Sequence, residues 1–163
     1  MITGGNGRFR PPGDPESSRD PDDVFPFRDD FCDCCGQRRW FVISMDRVQL
    51  GYSISATEEG TENEDGYYFR EFDASSPYLA LGRLRGRIQR ALATRHLEER
   101  SPGDFLPLHD TLRGRISYSR EEDGVAFVID GRSLTLSQFT KIVDMYEGWQ
   151  FRLDFFDQGE EVR

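Results

Sequence analysis

All three cysteines of the chain fall within four positions, in the run Phe31-Cys32-Asp33-Cys34-Cys35-Gly36. Cys32-x-x-Cys35-Gly36 has the form of a zinc knuckle, a tight turn that aims two thiolates at one ion while the glycine relieves the backbone. A closed structural zinc site needs four ligands. No second cysteine pair follows, and the only histidines are His96 and His109. Three clustered cysteines without distant partners make no disulfide framework, and by itself the turn is at most half of a metal site. Cys32 and Cys35 remain the metal candidates, with Cys34 as a third thiolate and zinc as the ion such a pair would hold. His96 and His109 complete the set only if the fold brings them to the turn; a site shared between two chains is the other route.

The apolar residues are unevenly placed. Residues 1–30 carry Pro11, Pro12, Pro15, Pro21 and Pro26 and four early glycines, with no apolar periodicity. Such a stretch buries too little to offset its ordering entropy and reads as a disordered arm. Residues 31–163 hold eighteen of the twenty-one aromatics and read as one domain, with 31–39 as the knuckle-like turn. The net charge of −9 argues against a protein that coats nucleic acid over its whole surface. Arginine supplies every basic side chain except Lys141, as coding in a GC-rich genome would produce. No apolar run reaches membrane-spanning length and no charged-then-apolar leader is present. With clustered thiols as well, the expectation is a cytoplasmic bacterial protein with no membrane partner.

Along the chain, 40–45 and 51–56 read as strands, 58–66 as an acidic loop and 67–72 as a third strand. Residues 78–98 form the first predicted helix, with Leu81, Leu84, Ile88, Ala91 and Leu92 on one arc and Ser101-Pro102-Gly103 as its stop. Gly82 and Gly86 predict close backbone packing there. Asp123-Gly124 is a hairpin turn between 113–118 and 125–129. The second helix opens on a capping box of Thr135 and Gln138, with Leu134 and Phe139 as the staple. Its stripe is Leu136, Phe139, Ile142, Val143 and Tyr146, and Gly148 ends it. Residues 149–155 alternate strictly and predict a last strand. The fold class is α+β: an antiparallel sheet with two helices packed on one face, preceded by the disordered arm.

From Met45 to Asp157 the chain resembles a family of uncharacterised bacterial proteins. The resemblance is carried by Arg-His-Leu-Glu at 95–98, Gly-Arg-Ile-Ser-Tyr at 114–118, Val-Ile-Asp-Gly-Arg at 128–132 and Tyr-Glu-Gly-Trp-Gln-Phe-Arg-Leu at 146–153. It implies no catalytic residue, and each motif also has a structural account as turn, cap or strand.

The chemistry-bearing features are few. Arg83, Arg87 and Arg90 fall on one helix stripe opposite the apolar arc, within an acid-free stretch over 74–97. They could grip an acidic protein partner or phosphates through guanidinium forks, or be neutralised by the 58–65 loop or the arm. Two acidic loops match the calcium-loop template poorly, and a carboxylate cluster could also imitate DNA. Asp130 and Glu147 suit turns and caps, and no nucleophile stands at a recognisable spacing from either histidine. The sequence thus points to a non-catalytic binding protein engaging a protein partner. Nucleic-acid binding through the arginine stripe is the alternative, and an enzyme of unidentified class the third.

Overall fold

The computed structural model describes residues 20–61, 65–120 and 122–157. It is α+β with antiparallel pairing throughout, and its strands divide into three sheets. A one-turn helix α1 (Pro21–Val24) leads into β1 (Phe27–Cys32), β2 (Arg38–Val48), β3 (Gly51–Glu58) and β4 (Tyr68–Asp73), which form a meander in that order. Helix α2 (Pro77–Leu92) lies across this sheet. The hairpin β5 (Leu97–Ser101) and β6 (Asp104–Pro107) follows, then a second meander of β7 (Gly114–Ser119), β8 (Gly124–Ile129) and β9 (Arg132–Thr135), and helix α3 (Leu136–Asp144).

The first sheet buries one face. Phe31, Phe41, Ile43, Ile54, Ala56 and Phe69 project from it at period two, and Ala80, Leu81, Leu84, Ile88 and Leu92 of α2 close over them. The first helix was expected over 78–98 but ends at Leu92. The reason lies far along the chain: one oxygen of Asp130 accepts the backbone N–H groups of His96 (2.7 Å) and Leu97 (2.8 Å). That fixes an extended backbone, and Leu97 enters the second core instead. Ser101-Pro102-Gly103 accordingly belongs to the β5–β6 turn, with Gly103 at φ +79°. Gly82 has nothing within 4 Å of where a Cβ would stand, so the close packing expected there is absent.

The boundary of the arm also moves. Residues 1–19 lie outside the described residues, but 21–32 form α1 and β1, and Phe25 is buried in the first core. Apolar periodicity missed β1 because Arg28, Asp29 and Asp30 interrupt it. All three charges are nonetheless paired, with Glu59, Arg85 and Arg38 respectively.

The second core is smaller. Leu97, Ile129, Leu134 and Ile142 are buried, with Phe127 stacked on Phe139 at 4.0 Å between ring centres. The predicted capping box is present: the Thr135 hydroxyl accepts from the Gln138 N–H, and the Gln138 side chain accepts from the Thr135 N–H. Only part of the predicted stripe is covered, because Leu136 and Val143 are about half exposed. Asp130 and Gly131, at φ +51° and +73°, make the two-residue turn joining β8 to β9.

The expected last strand does not form. Trp149 is tied by its N–H to the Tyr146 carbonyl, and residues 150–157 run on without a sheet partner among the described residues. Alternation specifies a strand only when an edge is available to receive it.

Candidate functional site

The arginine stripe is turned inward onto β4. Arg83 donates to the Phe72 carbonyl (2.7 Å) and to Asp73 (2.8 Å), and Arg87 to the Arg70 carbonyl (3.1 Å) and Glu71 (3.3 Å). Arg70 and Phe72 have the same parity, so both carbonyls lie along the outer edge of the strand. Guanidinium groups thus cover an otherwise open sheet edge. Among the described residues, the counter-charges of Arg83 and Arg87 are Asp73 and Glu71 of β4. Arg90 is exposed, its guanidinium folded toward Gly86. Positions 62–64 of the acidic loop lie outside the described residues.

Asp73 is the hinge of this arrangement. Arg83, followed by the N–H groups of Ser75 and Ser76, holds its carboxyl well below the usual carboxylate range. A depressed folded-state pKa contributes stability above the ordinary carboxylate range and loses it as pH falls through the lowered value. Asp73→Asn should therefore melt below the parent at neutral pH, with the difference shrinking as the pH is taken down through 4 and towards 2. Thermal melts across that series test this; a difference independent of pH would refute it.

The cysteine turn packs on the end of α2 through the Cys34 N–H and the Leu92 carbonyl, 2.8 Å apart. Asp33 organises it by accepting the N–H groups of Cys35 and Gln37, both at 2.9 Å. The thiols are free and exposed, and Cys34 approaches Cys35 at 3.9 Å. Burial and the neighbouring Cys35 push the Cys34 thiol up, which lowers its reactivity at neutral pH. Among the described residues, no three histidine, cysteine or carboxylate side chains are placed to hold one ion. His96 is buried, its Nδ1–H donating to the Thr111 carbonyl (3.0 Å), and His109 stands in the loop before β7. The fold does not bring either histidine to the thiols.

Beside the turn, where the first sheet, the β5–β6 hairpin and the second meander meet, lies a cleft of about 190 Å³ lined by Asp33, Arg39, Tyr67, Glu99, Asp130 and Arg132 among others. Arg39 joins Asp33 (3.0 Å) to Glu58 (2.8 Å), Arg132 pairs with Glu99 at 3.5 Å, and Asp130 caps two backbone N–H groups. Burial and the Asp130 charge drive the Tyr67 hydroxyl far above its ordinary pKa, which removes it as a base. The charges are thus engaged with one another. The volume is also below the roughly 300 Å³ at which ligand pockets begin.

The apolar surface lies elsewhere. Trp149, Phe151, Leu153 and Phe155 are 64%, 90%, 66% and 71% exposed, and alternate with Gln150, Arg152 and Asp154. On the second meander, Ile116 faces Phe127 and Tyr118 faces Val125 across the β7–β8 ladder. Helix α3 packs on β6, β8 and β9, leaving Ile116, Tyr118 and Val125 uncovered. Sequence reading found the alternation but assigned it to the chain's own sheet.

Two family models divide the chain at the end of α2. Residues 25–93 match a domain of unknown function (DUF7686), and residues 96–160 match a second (DUF7713). Both are uncharacterised, in keeping with the resemblance to an uncharacterised family. No curated protein and no solved structure matches the chain. No helix of the described residues is long and apolar enough to cross a membrane.

Proposed function

We propose that this is a non-catalytic interaction protein of a bacterial cytoplasm, which engages a protein partner through the segment 149–156. The observation that carries the reading is the exposure of Trp149, Phe151, Leu153 and Phe155 at alternating positions of one segment. Contiguous exposed apolar surface of several hundred Å² marks interaction sites. An extended segment of this pattern fits addition to a sheet edge, where backbone hydrogen bonds give affinity and alternate side chains fill pockets. The nucleic-acid alternative leans on Arg83 and Arg87, whose charges Glu71 and Asp73 already balance, in a chain of net charge −9. The cytoplasmic placing leans on three exposed free thiols.

The test is a photo-crosslinking benzophenone side chain at position 155, irradiated in the cells that make the protein. Expected are discrete protein adducts that vanish when Phe151→Asp and Leu153→Asp are added. Absence of any protein adduct, or adducts indifferent to those changes, would refute the reading.

A further inference from the structure

We propose that the partner is a second copy of this chain, each copy laying its 150–156 segment along the outer edge of β7 in the other. This rests on the reading of that segment as the binding element, and names what it binds.

The first argument is elimination among sheet edges. An open edge is a template for strand pairing, and folds usually blunt it. The β4 edge is covered by Arg83 and Arg87. The β1 edge strand carries Arg28, Asp29 and Asp30. On β9, Asp65 accepts the Ser133 N–H (2.7 Å) and the Gly131 carbonyl accepts the Gly66 N–H (2.7 Å), so the 65–66 segment occupies that side. Edge strand β5 holds Glu98, Glu99 and Arg100, and α3 packs on β6. Strand β7 pairs with β8 alone, and among the described residues no backbone hydrogen bond joins its other side to any segment. Its sequence, Gly-Arg-Ile-Ser-Tyr-Ser, has one charge.

The second argument is the match of faces. A strand added beside β7 continues the pleat, so one face of the newcomer lies next to Ile116 and Tyr118, which are 55% and 53% exposed. The 150–156 segment offers Phe151, Leu153 and Phe155 to that face and Gln150, Arg152 and Asp154 to the other. Its seven residues are enough to pair the six of β7. Val125, 47% exposed beside Tyr118, would be roofed by the same aromatic side chains.

The third argument is reciprocity and size. In one chain neither the segment nor the outer edge of β7 has a backbone pairing partner among the described residues, because the Tyr146 hydroxyl bond to the His109 carbonyl (3.3 Å) and the Trp149 turn set the segment's root and 150–157 projects exposed. Two copies about a two-fold axis satisfy both features twice, as an isologous interface requires. Each buried aromatic removes roughly 150–250 Å². Two segments with the faces they cover therefore bury on the order of 2,000 Å², above the roughly 1,600 Å² of a standard stable interface.

The experiment is sedimentation equilibrium on the full chain and two variants, Phe151→Asp/Leu153→Asp in the segment and Ile116→Asp on the β7 face. All these positions are exposed, so circular dichroism should show both variants folded. The parent should sediment at twice the 18.9 kDa of one chain. Each variant alone should weaken association by roughly 100-fold or more, as loss of central anchors does. An equimolar mixture of the two should recover a heterodimer, because the intact segment of one meets the intact β7 of the other. A parent dimer untouched by either variant, or a mixture that stays monomeric, overturns the proposal. A monomeric parent whose 150–156 amides resist hydrogen exchange overturns it too, in favour of closure on its own β7. If the parent is monomeric while position 155 still crosslinks to a different protein, the second copy is wrong and the interaction reading stands. If neither association nor adducts occur, both fall.

Discussion

Replacing Arg39 by methionine is expected to destabilise the protein by about 3–5 kcal/mol, the usual cost of orphaning a buried charge. Arg39 lies on β2 in line with Phe41 and Ile43, on the face that α2 covers, at the end where α2 stops. Its guanidinium is the common partner of Asp33 and Glu58, whose side chains are only 9% and 7% exposed. The same group lies over the Tyr67 ring at 5.6 Å. Glu58 also accepts the Tyr67 N–H (3.0 Å) and Asp33 holds the cysteine turn, so neither carboxylate can swing out to water without losing backbone bonds. Methionine would fill the stem and leave two carboxylates facing each other uncompensated. At this size the loss corresponds to a fall of about 10 °C in Tm. Adding Glu58→Gln should recover part of it, since the amide oxygen can still accept the Tyr67 N–H while one of the two orphaned charges is gone. Thermal melts at pH 7 decide this; a single variant within about 1 kcal/mol of the parent would show that the cluster is solvated.

Arg39 also marks where the sequence was legible and where it was not. Elements defined by neighbours in sequence were readable. The capping box rests on Thr135 and Gln138, three positions apart, and is present; the hairpin expected at Asp123-Gly124 also forms, but with Gly124 already in β8 and paired to Ser119, so that the turn precedes it. The α+β class followed from such local patterns. Features defined by distant partners were not readable. The end of α2 depends on Asp130, 34 positions from His96. Arg39 meets Glu58 across 19 positions, and Arg85 meets Asp29 across 56. The arginine stripe was visible as a helix face, but its role at the β4 edge needed the strand beside it. The alternation of 149–155 was equally plain, yet period two records only that a strand has two unlike faces. It does not say whose sheet completes them. One sheet was expected where three occur because hairpin signals fix antiparallel pairing but not which hairpins join.

Ile142→Ala is expected to remove about 2–5 kcal/mol, and to do so from one half of the molecule only. The two cores share no residue: one lies between the first sheet and α2, the other between the second meander, the β5–β6 hairpin and α3. They meet across a polar seam, where the Gly66 N–H bonds the Gly131 carbonyl, Asp65 accepts from Ser133, and Tyr67 and Glu58 pack against Gly131. Such bonds exchange with water at a net value of about 1 kcal/mol each, less than the apolar burial inside either half. Among the described residues the second core is built on four buried apolar side chains, and Ile142 is the one that α3 contributes. Truncating it leaves Leu134 and Leu97 lining a void and loosens the stacking of Phe127 on Phe139. Hydrogen exchange should then show the amides of β7, β8 and α3 opening by roughly a hundredfold or more, while those of β2, β3 and α2 keep their protection. Leu84→Ala should reverse the pattern, since Leu84 is fully buried in the first core. Uniform loss of protection in either variant would show that the polar seam couples the halves into one cooperative unit, as a single domain over 31–163 requires.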